Sequence, residues 1–206
     1  MAENIRFQYY FSEGSGDTLN DFSYYNDDAS IVEDGSGNWS VDTPFDAGSK
    51  SAQLSPYSYD FSGNYFKHTL SESWSGSFTF AIWAKPNGAQ ELFSSVFSTG
   101  DSHNTTNSWQ LGVSSNNKWR INDTANQYII NNISEDTWQH LAIVWNYDIS
   151  YNKQFLKLYF NGELKSTIAY NTSTVLPTNK NFSFTNYKIG VNRNSNVHFI
   201  GKLTNA

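Results

Sequence analysis

The chain has no cysteine, which excludes structural disulfides and zinc–thiolate centres. Extracellular domains of eukaryotes often carry a disulfide, so its absence points toward a bacterial or viral source. Charge is also scarce. Only 16% of the residues are charged, and 13 Lys and Arg against 19 Asp and Glu leave a net charge of −6. No cluster of Lys and Arg occurs anywhere. A nucleic-acid partner and electrostatic attraction to a membrane surface are therefore not expected. No apolar run approaches the roughly 18 residues that a membrane-spanning helix needs, so membrane insertion is not expected either. The stretch Met1 to Phe7 has neither the charged nor the apolar region of a signal peptide. There is no Pro/Gly linker, no charge run, no internal repeat and almost no helical periodicity.

What the sequence does have is aromatics, at 17%, set among Asn, Ser, Thr and Gly. Disordered chains are poor in aromatics and rich in charge, so this composition argues for a folded β-protein with polar loops. The 206 residues suffice for one sizeable core. Short apolar alternations bounded by turn residues recur along the chain. Ile5, Phe7, Tyr9 and Phe11 alternate and predict a strand. Further strands are expected at Lys50 to Leu54, Tyr65 to Leu70, Ser77 to Lys85, Glu91 to Ser98, Trp109 to Val113, Trp119 to Asn122 and Gln127 to Ile130. The run Gln139 to Asn146 reads as a central strand covered on both faces. Gln154 to Phe160 and Glu163 to Tyr170 flank Asn161-Gly162, two residues that tolerate the positive φ of a type I′ hairpin turn. Asn186 to Val191 and Val197 to Leu203 close the chain. About a dozen closely spaced strands predict an all-β fold, a two-sheet antiparallel β-sandwich.

Five segments in order resemble the laminin G-like domain of the concanavalin A-like jelly-roll group. They are Tyr10 to Thr18 with Asp21, Phe78 to Pro86, Trp138 to Trp145, Lys157 to Leu164, and the pair Lys188-Ile189-Gly190 with Phe199 to Leu203. The resemblance covers nearly all of residues 1–206 as one domain of jelly-roll form. The family continues its last strand beyond a position like Leu203, whereas this sequence stops at Ala206, which suggests a piece of a longer protein. The resemblance implies a recognition module for glycan or a protein surface. Such a module sits on an extracellular surface or a virion, alone, as a homo-oligomer or within a larger assembly. A structural role as a decoration or fibre-associated domain of a phage or virus particle is the alternative.

Catalysis is not expected. Jelly-roll hydrolases carry Glu-x-Asp-x-x-Glu or Glu-x-Asp-x-Glu runs that bring two carboxylates to the scissile bond, and no such run occurs. The adjacent pairs Glu33-Asp34 and Glu135-Asp136 fall in turn regions, where their side chains diverge. No nucleophile elbow or phosphate-cradling glycine loop occurs, and His68, His103, His140 and His198 are scattered. His140 reads as a packing residue within a core-type strand. The resemblance also implies a calcium ion at the sandwich rim, with Asp101 as a carboxylate ligand and Asn192 and Asn194 supplying amide oxygens. The patch Asp27-Asp28 with Glu33-Asp34 reads as solvated loop. Sugar binding needs exposed rings, and Trp39, Trp74, Tyr57 and Tyr59 are read as loop aromatics suited to it. Trp83, Trp109, Trp119, Trp138 and Trp145 read as core or sheet-face residues.

Overall fold

The computed structural model describes residues 6–32, 36–46, 49, 56–75, 77–101, 108–122, 127–148, 153–171 and 183–205. These contain fifteen strands and no helix. The first seven are β1 (Thr18–Leu19), β2 (Ala29–Val32), β3 (Ser36–Ser40), β4 (Ser58–Ser62), β5 (Tyr65–Ser75), β6 (Phe78–Pro86) and β7 (Ser95–Thr99). Then come β8 (Gln110–Val113), β9 (Lys118–Asn122), β10 (Gln127–Asn132), β11 (Gln139–Asp148), β12 (Lys153–Phe160), β13 (Glu163–Asn171), β14 (Ser183–Ile189) and β15 (Ile200–Thr204). They form two antiparallel sheets. One has the order β1-β2-β5-β14-β7-β8-β9-β10, the other β13-β12-β11-β6-β15-β4-β3. This is the two-sheet sandwich that the sequence predicts, in keeping with a jelly roll.

Alternation builds the core. Side chains on a strand point to opposite faces in turn, so every second residue of β6 is buried: Phe80, Ile82 and Ala84 face inward. Across β6 and β11 they meet Leu141 and Ile143, and β12 adds Leu156, Leu158 and Phe160. In the eight-stranded sheet one row of partners, Ile31, Phe66, Ile189, Phe97, Leu111, Ile121 and Tyr128, is apolar throughout. Phe80 and Phe97, with ring centroids 4.2 Å apart, join the two sheets. Trp109, Trp119 and Trp145 are buried as expected of core residues.

Two sequence readings need correction here. Residues 7–11 form no strand. Tyr9 makes one isolated bridge to Asp21, and the Asp21 carboxylate takes the place of a ladder partner by accepting from the backbone N–H groups of Gln8, Ser23 and Asp27. The rings of Phe7, Tyr9 and Phe11 still plug the core. β11 is also not covered on both faces, since His140, Ala142 and Val144 are only half-buried. The expected strand Lys50 to Leu54 lies outside the described residues. The Asn161-Gly162 turn has φ of 49° and 80°, as a type I′ hairpin requires.

Gly190 follows β14 with φ of 90°, and a Cβ there would lie 2.3 Å from the Phe61 ring. Backbone strain and ring overlap each cost about 1–3 kcal/mol. Gly190→Ala is expected to lower Tm by roughly 5–15 °C for a chain of this size, with the urea m-value unchanged.

Candidate functional site

The outer face of the seven-stranded sheet holds an aromatic groove of about 410 Å³ lined by Trp83, Trp138, His140, Asn161 and Gly162. Alternation puts Trp83 there, because its neighbours Ile82 and Ala84 point into the core. Register then sets His140 of β11 directly across from it, with ring centroids 5.0 Å apart and planes tilted by 53°. Phe45 meets the Trp83 ring edge-on at 6.0 Å. The β12–β13 turn forms the far wall. It is tied to β11 twice: Asn161 N donates to the His140 carbonyl, and His140 N donates to Asn161 Oδ1, both at 2.8 Å. Burial holds the His140 pKa below its ordinary value, so the ring is neutral at pH 7.

Asp42 anchors the other side. Its Oδ1 accepts from Trp138 Nε1 at 3.1 Å, and its Oδ2 accepts from Lys85 Nζ at 2.8 Å and Lys202 Nζ at 2.9 Å. Burial opposes ionisation of Asp42, but these three hydrogen bonds outweigh it and hold the carboxyl well below the usual carboxylate range. Trp83 and Trp138 therefore lie partly open beside fixed polar groups, the composition of a small-molecule binding site.

The aromatics expected to serve as loop platforms are placed differently. Trp39 and Tyr59 are strand residues opposite one another in β3 and β4. Tyr59 is 3% exposed and presents no open face. Trp39 stands edge-on to Tyr59 at 5.4 Å, and its Nε1 donates to the Gly16 carbonyl at 3.1 Å. Tyr57 precedes β4 and packs on Gly14. Trp74 lies on β5 opposite Phe184 rather than in a loop. Asp27, read as solvated, is buried and ion-paired to Arg6 at 2.9 Å, with His68 Nε2 at 3.2 Å.

At the rim, the described residues do not fit a calcium ion. Calcium takes six to eight oxygens at roughly 2.3–2.6 Å. Here the converging oxygens meet the Lys188 ammonium instead. Lys188 Nζ donates to the carbonyls of Arg193 at 2.7 Å and Gly100 at 3.1 Å and pairs with Asp101 Oδ1 at 3.0 Å. Three donors thus meet three oxygens. Asp101 Oδ2 accepts from Asn186 Nδ2 at 2.7 Å. Asn192 folds into its own turn, its Oδ1 accepting from the backbone N–H groups of Asn196 and Val197. Asn194 is exposed on that turn. Among the described residues no group of three or more His, Asp and Glu side chains is arranged to hold a metal.

A family model described as the concanavalin A-like lectin/glucanases superfamily, of laminin G type, matches residues 60–206. The chain belongs to this superfamily. Among solved structures, the sialidase of Trypanosoma rangeli matches at a TM-score of 0.60 and 12% identity, over 97% of this chain and 29% of that one. This shows a shared fold over less than a third of the enzyme's length. The CBM40 of the Ruminococcus gnavus IT-sialidase, bound to α2,3-sialyllactose, matches at 0.43 and 13% identity over 64% of this chain and 75% of that one. The heptameric SAP-like pentraxin of Limulus polyphemus matches at 0.42 and 14% identity over 68% and 66%. No curated protein sequence matches the chain. No helix among the described residues is long and apolar enough to cross a membrane.

Three expectations follow. Millimolar calcium and a chelator are each expected to leave Tm unchanged by differential scanning calorimetry. Lys188→Met, which strips two buried carbonyls of their donor, is expected to cost about 1–3 kcal/mol. For Asp42 the folded pKa lies below the unfolded value near 3.9. Its stabilisation is therefore complete above about pH 4 and fades as pH falls through the depressed folded value. Asp42→Asn is expected to lower Tm by about 2–4 °C at pH 7, a small effect because the carboxylate is one-third exposed. That deficit is expected to shrink toward pH 2 in melts recorded across the acid range.

Proposed function

We propose that this chain is a non-catalytic recognition module that holds a sugar ring of a glycan in the groove between Trp83, Trp138 and His140. The observation that carries this reading is a pair of half-open indoles fixed against polar neighbours. A sugar offers an apolar ring face that stacks on an indole and a rim of hydroxyls that hydrogen-bond to amides and imidazoles. The neutral His140 ring can donate from one nitrogen and accept at the other. The superfamily's description as lectins and glucanases supports glycan as the ligand class.

Three described carboxylates are held within the fold by other groups. Asp21 and Asp27 are committed to backbone N–H groups, Arg6 and His68, and Asp42 to two lysines and an indole. A glycosidase needs one carboxyl free to give a proton and a second beside it. The buried Tyr9 and Tyr187 phenols are no substitute, because burial drives both pKa values well above the ordinary value. An extracellular surface or virion setting is consistent with this role.

A second reading has its own observation. Phe22, Tyr24 and Tyr25 are 51%, 84% and 42% exposed on one loop, the kind of aromatic surface that contacts proteins. This favours a protein partner or a place in a particle or fibre assembly.

A glycan array probed with and without calcium tests the choice. Binding is expected in both conditions. Trp83→Ala or Trp138→Ala is expected to weaken it about tenfold or more with circular dichroism unchanged. Absence of binding in either condition moves the reading to assembly, which sedimentation equilibrium of the purified chain then tests as a stable oligomer.

A further inference from the structure

The outer face of the eight-stranded sheet is as polar as its inner face is apolar. One row of cross-strand partners runs Thr18, Ser30, Lys67, Lys188, Ser98, Gln110, Asn122 and Gln127 over all eight strands. Arg120, two residues before Asn122 on β9, shares this face. In an acidic chain, Lys67, Lys188 and Arg120 are gathered on one surface, and Lys188, Ser98, Gln110 and Asn122 of the row are buried.

Buried polar groups are normally hydrogen-bonded, and a buried charge is normally paired. Lys188 obeys the rule. Three neighbours do not. Gln110 is 0% exposed and both atoms of its amide lack a partner. Asn122, opposite it at 8% exposure, has an unpartnered Oδ1. Arg120 is 4% exposed, and its Nε and Nη2 lack partners while Nη1 donates to Gln127 Oε1 at 2.6 Å. Its guanidinium lies 4.6 Å over the Phe93 ring, and no ion pair among the described residues includes it.

We infer that this face binds an oxyanion-bearing polyhydroxylated ligand, an acidic sugar, with Arg120 as its anchor. The free Nε and Nη2 hydrogens lie on one edge of the guanidinium. That edge forms a two-pronged fork matching a carboxylate or a sulfate ester. An inorganic anion satisfies only donors. Gln110 Oε1 and Asn122 Oδ1 are acceptors, so the ligand must also supply hydroxyl or amide hydrogens. Gln110 Nε2 supplies one more donor to it. The row meets solvent at Gln127, exposed on the edge strand β10. The site lies on a different sheet from the aromatic groove and does not depend on it.

The test is titration of the full chain with glucuronate, glucose 6-sulfate and glucose by calorimetry. In parallel, nitrogen-15 NMR follows the Arg120 Nε–H and the Gln110 side-chain amide. One or both acids are expected to bind and to shift both signals, and which acid binds separates carboxylate from sulfate. Glucose is expected to bind this face far more weakly. Arg120→Met keeps the size and removes the unpaired charge, so it is expected to fold with Tm unchanged or raised. It is also expected to weaken acid binding about 10- to 100-fold. Trp83→Ala is expected to leave acid binding intact. The inference is overturned if neither acid moves the Arg120 and Gln110 signals, as it is if Arg120→Met binds the acids as well as the parent chain does. Buried water would then be the partner of these groups.

Discussion

Cross-strand register in the eight-stranded sheet is the constraint on which the rest of the molecule depends. Because side chains alternate, each row of partners across the sheet belongs wholly to one face. The row through Ile189 is apolar and the row through Lys188 is polar, over strands far apart in sequence. Slipping β14 by one residue would drive Lys188 into the core and turn Ile189 outward. Gly190 guards against that slip. Its left-handed conformation ends the strand, and its lack of a Cβ admits the Phe61 ring from the opposite sheet. Register, sheet packing and the chemistry of the outer face are thus fixed together.

The two outer faces are built from different chemistry. On the seven-stranded sheet, cross-strand pairs of small residues such as Ala81 and Ala142 leave space beside Trp83 and His140. The Asn161-Gly162 turn closes that space because its side-chain amide binds the backbone of β11. Asp42 draws Trp138, Lys85 and Lys202 together from three separate stretches of chain. The result is an apolar recess with a fixed polar edge. The other sheet replaces aromatic surface with amides and cations.

Much of this was legible in the sequence wherever local pattern governs. The alternation of Phe78, Phe80 and Ile82 places β6 and sets Trp83 on the far face, and Asn161-Gly162 marks the β12–β13 hairpin turn. The groove itself was not legible. Trp138 and Asp42 are 96 residues apart, and Lys202 and Asp42 are 160 apart, so no local pattern joins them. Tyr59 read as a loop aromatic because the glycines and prolines around it hide a short strand, β4, whose inward side is buried. Asp27 read as solvated because its partners Arg6 and His68 come from distant segments. Asp101 reads as a calcium ligand from the sequence, and among the described residues its carboxylate meets the Lys188 ammonium and the Asn186 amide. A lysine at 188 reads as an ordinary strand residue until register brings it beside Gly100 and Arg193.

Lys188 and Arg120 together show how the polar face divides its work. Both are cations buried on the same surface, and burial depresses the pKa of each, with the charge of Lys67 adding to it at Lys188. Lys188 recovers that cost within the fold, because its three hydrogens meet three oxygens held by the strand ends. Arg120 recovers only part of it, through one hydrogen bond and one ring face. Substituting a well-packed apolar side chain would remove the penalty, since buried ion-forming groups contribute little to stability. A guanidinium left half-paired beside two unpaired amides is therefore costly to the fold by itself. Three such groups gathered on adjacent strands place that cost where an incoming anion and its hydroxyls can offset it. The satisfied lysine is accounted for by the fold, and the unsatisfied arginine by a partner outside it.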